Sequence, residues 1–198
     1  MNPARLDEVT DAILDGTDAV MLSAETAAGS YPRLAAEAMR RIITETEKHP
    51  QRGRGKDGPL AFEGVVPTEV AIAAATVVAV ELLATPLVVV FTKSGFSARL
   101  VASYRPGVPI LVLTDQPRTY RQLALVWGVI PELVPHCDSY DEMMRLAREV
   151  VLRRRLASEG DRLVVDHVHA PLQLLEADRL ALLERDDLAV EHEVAPRG

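Results

Sequence analysis

Leu87-Val88-Val89-Val90-Phe91-Thr92-Lys93-Ser94-Gly95-Phe96-Ser97 joins an unbroken apolar run to a hydroxyl-rich turn containing one glycine. Consecutive apolar residues without polar alternation suit a strand buried on both faces, the condition met in a parallel sheet covered by helices. After the turn, the residues to Tyr104 read as a helix. A strand followed at once by a helix is the first half of a crossover, so further parallel strands are expected downstream.

They are present. Apolar runs recur at Ile110–Leu113, Val129–Val134 and Leu163–Val168, separated by a helical pattern over Pro117–Trp127 and another from Ser139 to about Ala157. Ser139 with Glu142 forms a capping box, Met143, Leu146, Ala147, Val150 and Val151 form its core stripe, and Gly160 stops it. Upstream, Thr68 is placed to cap a helix from Glu69 to about Ala84, apolar nearly all round and expected to be enclosed on several sides. Its longest apolar run, Val70–Leu83 broken by Thr76 and Glu81, is too short to span a bilayer. The fold class read from this order is α/β, a mostly parallel sheet flanked by helices over 68–168.

Outside that domain the pattern changes. Residues 49–67, with Pro50, Gly53, Gly55, Gly58, Pro59, Gly64 and Pro67, read as a linker. Residues 1–48 hold a helical pattern over 5–16 closed by Gly16, an apolar run Thr17–Ser23 read as an inward-facing strand, and a loop. A helix from Pro32 to about Lys48 follows, with Ser30 available as cap and Leu34, Ala35, Ala38, Met39, Ile42 and Ile43 on one face. Residues 169–198 form an acidic tail whose Leu172, Leu174, Leu175, Leu180, Leu182, Leu183 and Leu188 permit a short amphipathic helix.

The 198 residues carry 29 acidic and 22 basic side chains, a net charge of −7, which argues against a nucleic-acid surface. A small anion in a local pocket remains compatible with it. Hydrophobic residues at 48% offset the ordering entropy of a compact domain, and aromatics at 4% leave the core to Ala, Val, Leu and Ile. The single cysteine, Cys137, excludes an internal disulfide, and five aspartates and glutamates in residues 1–20 interrupt any signal-peptide core, so a cytoplasmic location without membrane contact is expected.

Three clusters carry candidate chemistry. Thr92, Lys93, Ser94, Gly95 and Ser97, between a buried strand and a helix, combine hydroxyls, a cation, close backbone approach and helix N-terminal N–H groups, all suited to phosphate; Arg99 follows. The alternative is an ordinary polar turn that binds nothing. Ser23, Glu25 and Thr26 stand at the end of the expected first strand, as rim chemistry or as a loop bonding its own backbone. His167 and His169 share a strand face as a possible ligand pair, yet nothing completes a metal site, and exposed histidines at a strand end is the plainer reading. His49, His136 and His192 need no role, and Cys137 reads as an inert thiol.

Leu14-Asp15-Gly16-Thr17-Asp18-Ala19-Val20-Met21-Leu22-Ser23-Ala24-Glu25-Thr26-Ala27-Ala28-Gly29-Ser30-Tyr31-Pro32 closely resembles the segment that forms the last barrel strand and opens the last barrel helix of pyruvate kinase. Thr92-Lys93-Ser94-Gly95, Ser97-Ala98-Arg99, Tyr104-Arg105-Pro106, Pro109-Ile110 and Trp127-Gly128-Val129 with Pro131 resemble that family's C-terminal domain. The resemblance covers about residues 2–168. It implies a remnant of a (β/α)8 barrel in 1–48. It also implies that Thr92, Lys93, Ser94, Gly95 and Ser97 bind a phosphate of an allosteric effector, a sugar phosphate or a nucleotide. Ser23, Glu25 and Thr26 become an active-site rim remnant. The family's catalytic lysine, metal-binding carboxylates, phosphate-binding arginine and potassium ligands lie on earlier barrel strands and have no counterpart here. The resemblance therefore implies no cofactor in this chain, Mg and K only for a complete pyruvate kinase, and no phosphoryl transfer by the chain alone.

Departures and one physical difficulty accompany the match. The helix before Leu14 lacks about three residues, nearly one turn. After Val168, where the family has a Gly- and Thr-containing effector loop and a final strand, the chain reads His169-Ala170-Pro171-Leu172-Gln173 and then the acidic tail. A lone barrel strand also exposes unpaired backbone and so needs a partner. The partners compatible with this are a small phosphorylated effector, a separate barrel chain as in a split enzyme, or further copies of the chain; a non-catalytic interaction module is the remaining alternative.

Overall fold

In the computed structural model, residues 3–49, 64–158, 160–167 and 173–176 are described. Four parallel strands, β1 (Val88–Phe91), β2 (Ile110–Thr114), β3 (Val129–Leu133) and β4 (Arg162–His167), form the sheet, extended by an antiparallel edge strand, β5 (Gln173–Glu176). The spatial order is β3-β2-β1-β4-β5.

Every residue of β1 and β2 is buried, as an uninterrupted apolar run requires. Alternate residues face opposite sides. Val88, Val90, Ile110, Val112 and Val164 pack under α4 (Thr68–Leu83) and α5 (Phe96–Ser103), joined by Leu123 of α6 (Pro117–Leu123). Leu87, Val89, Phe91, Leu111, Leu113, Leu163 and Val165 meet Met144, Ala147, Val150 and Val151 of α7 (Tyr140–Arg153). Each fully buried Val or Leu contributes roughly 1.5–3 kcal/mol, so this two-sided layer dominates the stability of the domain.

The capping box at α7 forms as read: Ser139 Oγ accepts from Glu142 N–H at 3.2 Å and Glu142 Oε2 accepts from Asp138 N–H at 3.2 Å. Two other caps differ from expectation. Pro67, not Thr68, is the N-cap of α4, its carbonyl accepting from Ala71 N–H at 3.1 Å. Tyr31, not Ser30, is the N-cap of α3 (Pro32–Thr46), because the residue before a proline is held out of helical geometry. The all-round apolar α4 is buried on one face only, with Ala71, Ala75 and the 81% exposed Leu82 open on the other.

The fifth strand corrects the reading of the tail. Gln173–Glu176 pairs with β4 in the register Arg162↔Glu176 to Val165↔Gln173, where an amphipathic helix was permitted. The leucine spacing serves either conformation, and the open edge of β4 favours the strand. The rest of the tail, and the linker apart from His49 and 64–67, lie outside the described residues.

Residues 3–49 form α1 (Pro3–Leu14), α2 (Ala24–Ala27) and α3, with Ile13 and Met39 buried. The strand expected at Thr17–Ser23 is absent, and Met21 is 85% exposed. A barrel strand takes its hydrogen bonds from neighbours on both edges, and no described strand lies beside this segment.

One side chain ties this segment to the α/β domain. Arg105, 6% exposed and in the left-handed region at φ 51°, donates to the Gly16 carbonyl and, at 3.0 Å, to Asp18 Oδ1. Its guanidinium stacks over Trp127, 4.7 Å from the ring centre, and Trp127 Nε1–H donates to Glu47 Oε1 at 2.9 Å. Thus the turn after α1 and the C-terminal end of α3 close on the same arginine–tryptophan pair.

Replacing Arg105 by Ala should cost about 2 kcal/mol of the docking of 3–49, from lost stacking and charge-assisted hydrogen bonds. Trp127 is the only tryptophan, so the loss is read directly from its emission and from faster amide exchange in α1 and α3. Asp166, 4% exposed on β4, offers a pH test: burial pushes its carboxyl above the usual range. A raised acid pKa means that the fold favours the protonated form more than the unfolded chain does, so stability falls as pH rises from the unfolded value through the folded one. Asp166→Asn should therefore melt above the parent at pH 7, with the difference closing below about pH 4, as measured by thermal denaturation across pH.

Candidate functional site

Parallel strands all end on one edge, so the segments following β1, β2 and β3 gather there. The sheet order reverses between β1 and β4: α5 leaves β1 over one face and α7 returns to β4 over the other. Open α/β sheets collect ligands at the carboxyl edge near such a reversal. A cleft of about 610 Å³ lies at this edge, lined by Phe91–Ser94, Leu113–Asp115, Val134–Tyr140 and Met143.

Thr92, Lys93 and Ser94 line the cleft, with Lys93 and Ser94 exposed. Gly95 and Ser97 are buried behind it. Gly95 has φ 82°, and a Cβ there would stand 3.2 Å from Thr119 Cγ2 and 3.3 Å from Leu123 Cδ2, so both conformation and space call for glycine. Thr119 Oγ1 donates to the Lys93 carbonyl at 2.7 Å, fixing the turn against α6.

The N–H groups expected to be open at this helix start are in part taken. Thr92 Oγ1 accepts from Gly95 N–H at 2.9 Å, and Ser94 Oγ accepts from Phe96 N–H at 3.3 Å. A hydroxyl that accepts a backbone N–H retains its own O–H as a donor. The loop therefore offers an anion hydroxyl donors and the Lys93 ammonium more than bare backbone.

The same cleft holds a group that the sequence reading left without a role. His136 Nδ1 lies 2.8 Å from Asp115 Oδ2, and His136 Nε2 lies 3.4 Å from Asp138 Oδ1. Gln116 Nε2–H donates to Asp115 Oδ1 at 2.9 Å. That amide bond, with further help from His136 and Lys93, holds the Asp115 carboxyl below the usual carboxylate range. Asp115 and His136 are 21 residues apart and meet because each follows a strand ending at the same edge. Position after a strand end was the one available signal. Burial, reinforced by Glu142 and Asp138, pushes the Cys137 thiol up, consistent with an inert cysteine.

Ser23, Glu25 and Thr26 bond among themselves: Ser23 N–H donates to Glu25 Oε2 at 3.2 Å and Thr26 Oγ1 to the Ser23 carbonyl at 3.3 Å. Gly29 closes this turn, since a Cβ there would sit 2.5 Å from the Glu25 carbonyl oxygen. Beside it, Met21, Tyr31 and Leu34 border a hollow of about 900 Å³. Among the described residues no group of three or more His, Cys, Asp or Glu is placed to hold a metal; His169 lies outside them, and of His167 only its backbone place in β4 is described. No described helix is long and apolar enough to cross a membrane.

Comparison with known proteins gives two family matches, to the pyruvate kinase alpha/beta domain over residues 70–169 and to the pyruvate kinase barrel domain over 2–36. A pyruvate kinase of Agrobacterium vitis is 40% identical over 162 residues, covering 82% of this chain and 34% of that protein. One from Geobacillus stearothermophilus is 38% identical over 167 residues, covering 82% and 27%. The chain thus spans about a quarter to a third of the length of such relatives. A crystal structure of a pyruvate kinase from Cryptosporidium parvum superposes with a TM-score of 0.79 at 26% identity, over 89% of this chain and 36% of that one. With its own α/β domain and a barrel fragment ahead of it both matched, the chain belongs to the pyruvate kinase family, corresponding to the C-terminal part of those proteins.

Proposed function

We propose that the chain serves as the effector-binding part of a pyruvate kinase, taking the phosphate of a small sugar phosphate or nucleotide on Thr92, Lys93 and Ser94, with Gly95 and Ser97 shaping the turn behind them. The observation that supports this most is the Lys93 cation beside two hydroxyls at the mouth of a cleft on the carboxyl edge of a parallel sheet. By itself the chain does not transfer phosphate from phosphoenolpyruvate to ADP. Mg and K belong to the complete enzyme.

A second element of the proposal concerns 1–48. The exposed Met21, Tyr31 and Leu34 around the hollow of about 900 Å³ are suited to cover by the remainder of a barrel, on whichever polypeptide it is carried. Ser23, Glu25 and Thr26 then stand at its rim. Docking of a barrel there is the split-enzyme reading.

Titration calorimetry with inorganic phosphate and with ribose 5-phosphate is expected to show saturable binding, weakened roughly 10- to 100-fold by Lys93→Ala, the range of one charge-assisted contact. Equal binding by the parent and Lys93→Ala would remove the effector reading. Turnover of phosphoenolpyruvate and ADP by the purified chain would remove the inactivity reading.

A further inference from the structure

The outward side of α4 has the composition of an inward one. Through Ala73, Val77 and Val80 the helix shares a core cluster with Val164 of β4 and with Ala98 and Val101 of α5, its main neighbours among the described elements. On its other side Ala71, Ala75, Val78 and Leu82 recur at spacings of four and three, which lines them up as one stripe over about three turns. Ala71, Ala75 and Leu82 are exposed and Val78 is half-buried. The two charged residues of α4, Glu69 and Glu81, stand off this stripe near the helix ends. A helix face turned to water normally carries charge, and a helix apolar all round is one that is enclosed.

The course of β5 brings the rest of the chain to this helix. The register Arg162↔Glu176 puts the last residue of β5 beside the first of β4, at the edge of the sheet where α4 ends and β1 begins. β4 is also the strand that α4 covers, so residues 177–198 start one strand away from α4 and near its Leu82 end. They contain Leu180, Leu182, Leu183 and Leu188 among six acidic residues. Such a segment gains by laying its leucines on an uncharged surface while its carboxylates stay in water. The 16 residues of α4 are roughly 24 Å long, and the 22 residues from 177 to 198 span that length even at a compact rise of about 1.5 Å each.

We propose that residues 177–198 dock along α4 of their own chain and bury the stripe Ala71, Ala75, Val78 and Leu82 under their leucines. A second copy of the chain is the competing occupant of the same stripe. The tail is favoured over it because it is tethered beside the stripe, where its effective concentration is on the order of millimolar, above that of a free partner. While docked, it closes this face to other proteins. The inference is independent of the effector reading of Lys93.

The test is photo-crosslinking of the whole chain carrying Leu82→p-benzoylphenylalanine, a change at a site 81% exposed and so tolerated by the fold. An equal mixture of light- and heavy-nitrogen protein is irradiated and the joined peptides are identified by mass spectrometry. Crosslinks from position 82 to 177–198 within a single label are expected. Crosslinks that join the two labels, or none to 177–198, would overturn the proposal. Tryptic cleavage after Arg185 supplies a second reading in the unlabelled chain. Its rate should rise about tenfold in Leu82→Glu and equally in Leu183→Glu, the scale of one leucine's burial, and no further in the double variant. A rate unchanged by either substitution would overturn the proposal as well.

Discussion

A strand paired in parallel and buried on both faces cannot be satisfied locally, and this constraint organises the molecule. β1 and β2 are apolar at every position, so both sides of the sheet must be covered, by α4 and α5 on one side and α7 on the other. Parallel pairing also forces each connection to cross the sheet and all carboxyl ends to emerge together. The cleft is a consequence of that geometry: Lys93, Asp115 and His136 meet because each belongs to a segment leaving the same edge.

The N-terminal segment obeys a different logic. Ala19-Val20-Met21-Leu22 has the composition of a barrel strand and lies within the match to the pyruvate kinase barrel domain, yet here it is not a strand. Backbone groups form a ladder only when neighbours supply the other half. What remains is helical packing of α1 against α3, fastened to the α/β domain through Arg105. The left-handed conformation of Arg105, a residue with a Cβ, is maintained because its side chain is held by Gly16, Asp18 and Trp127 together. Sequence neighbours Tyr104 and Pro106 gave no indication that the arginine between them reaches back to residue 16.

At the cleft, composition and geometry contribute unequally. Hydroxyls, lysine and glycine in Thr92–Gly95 are residue types suited to phosphate, and to an ordinary polar turn as well. Their arrangement was not recognisable, because Thr92 and Ser94 each take a backbone N–H of the loop or helix start and thereby turn from competitors of the backbone into its caps. The acidic side of the cleft was equally hidden. His136 looked like a loop residue without a task, since nothing local links it to Asp115.

The sequence by itself determined the parallel α/β domain, its helices, the α7 capping box and the phosphate-suited turn, because each depends on contacts within a few residues or on the period of apolar positions. Tertiary structure alone decided that Thr17–Ser23 is not a strand, that Gln173–Glu176 is one, and that Arg105 clasps the N-terminal segment. Only tertiary structure, too, brought Asp115 and His136 into one cleft with Lys93. The physical reason is common to all four: strand pairing, a buried cation and a two-walled cleft are satisfied by partners distant in the chain, and residue identity does not specify which distant partner will be there.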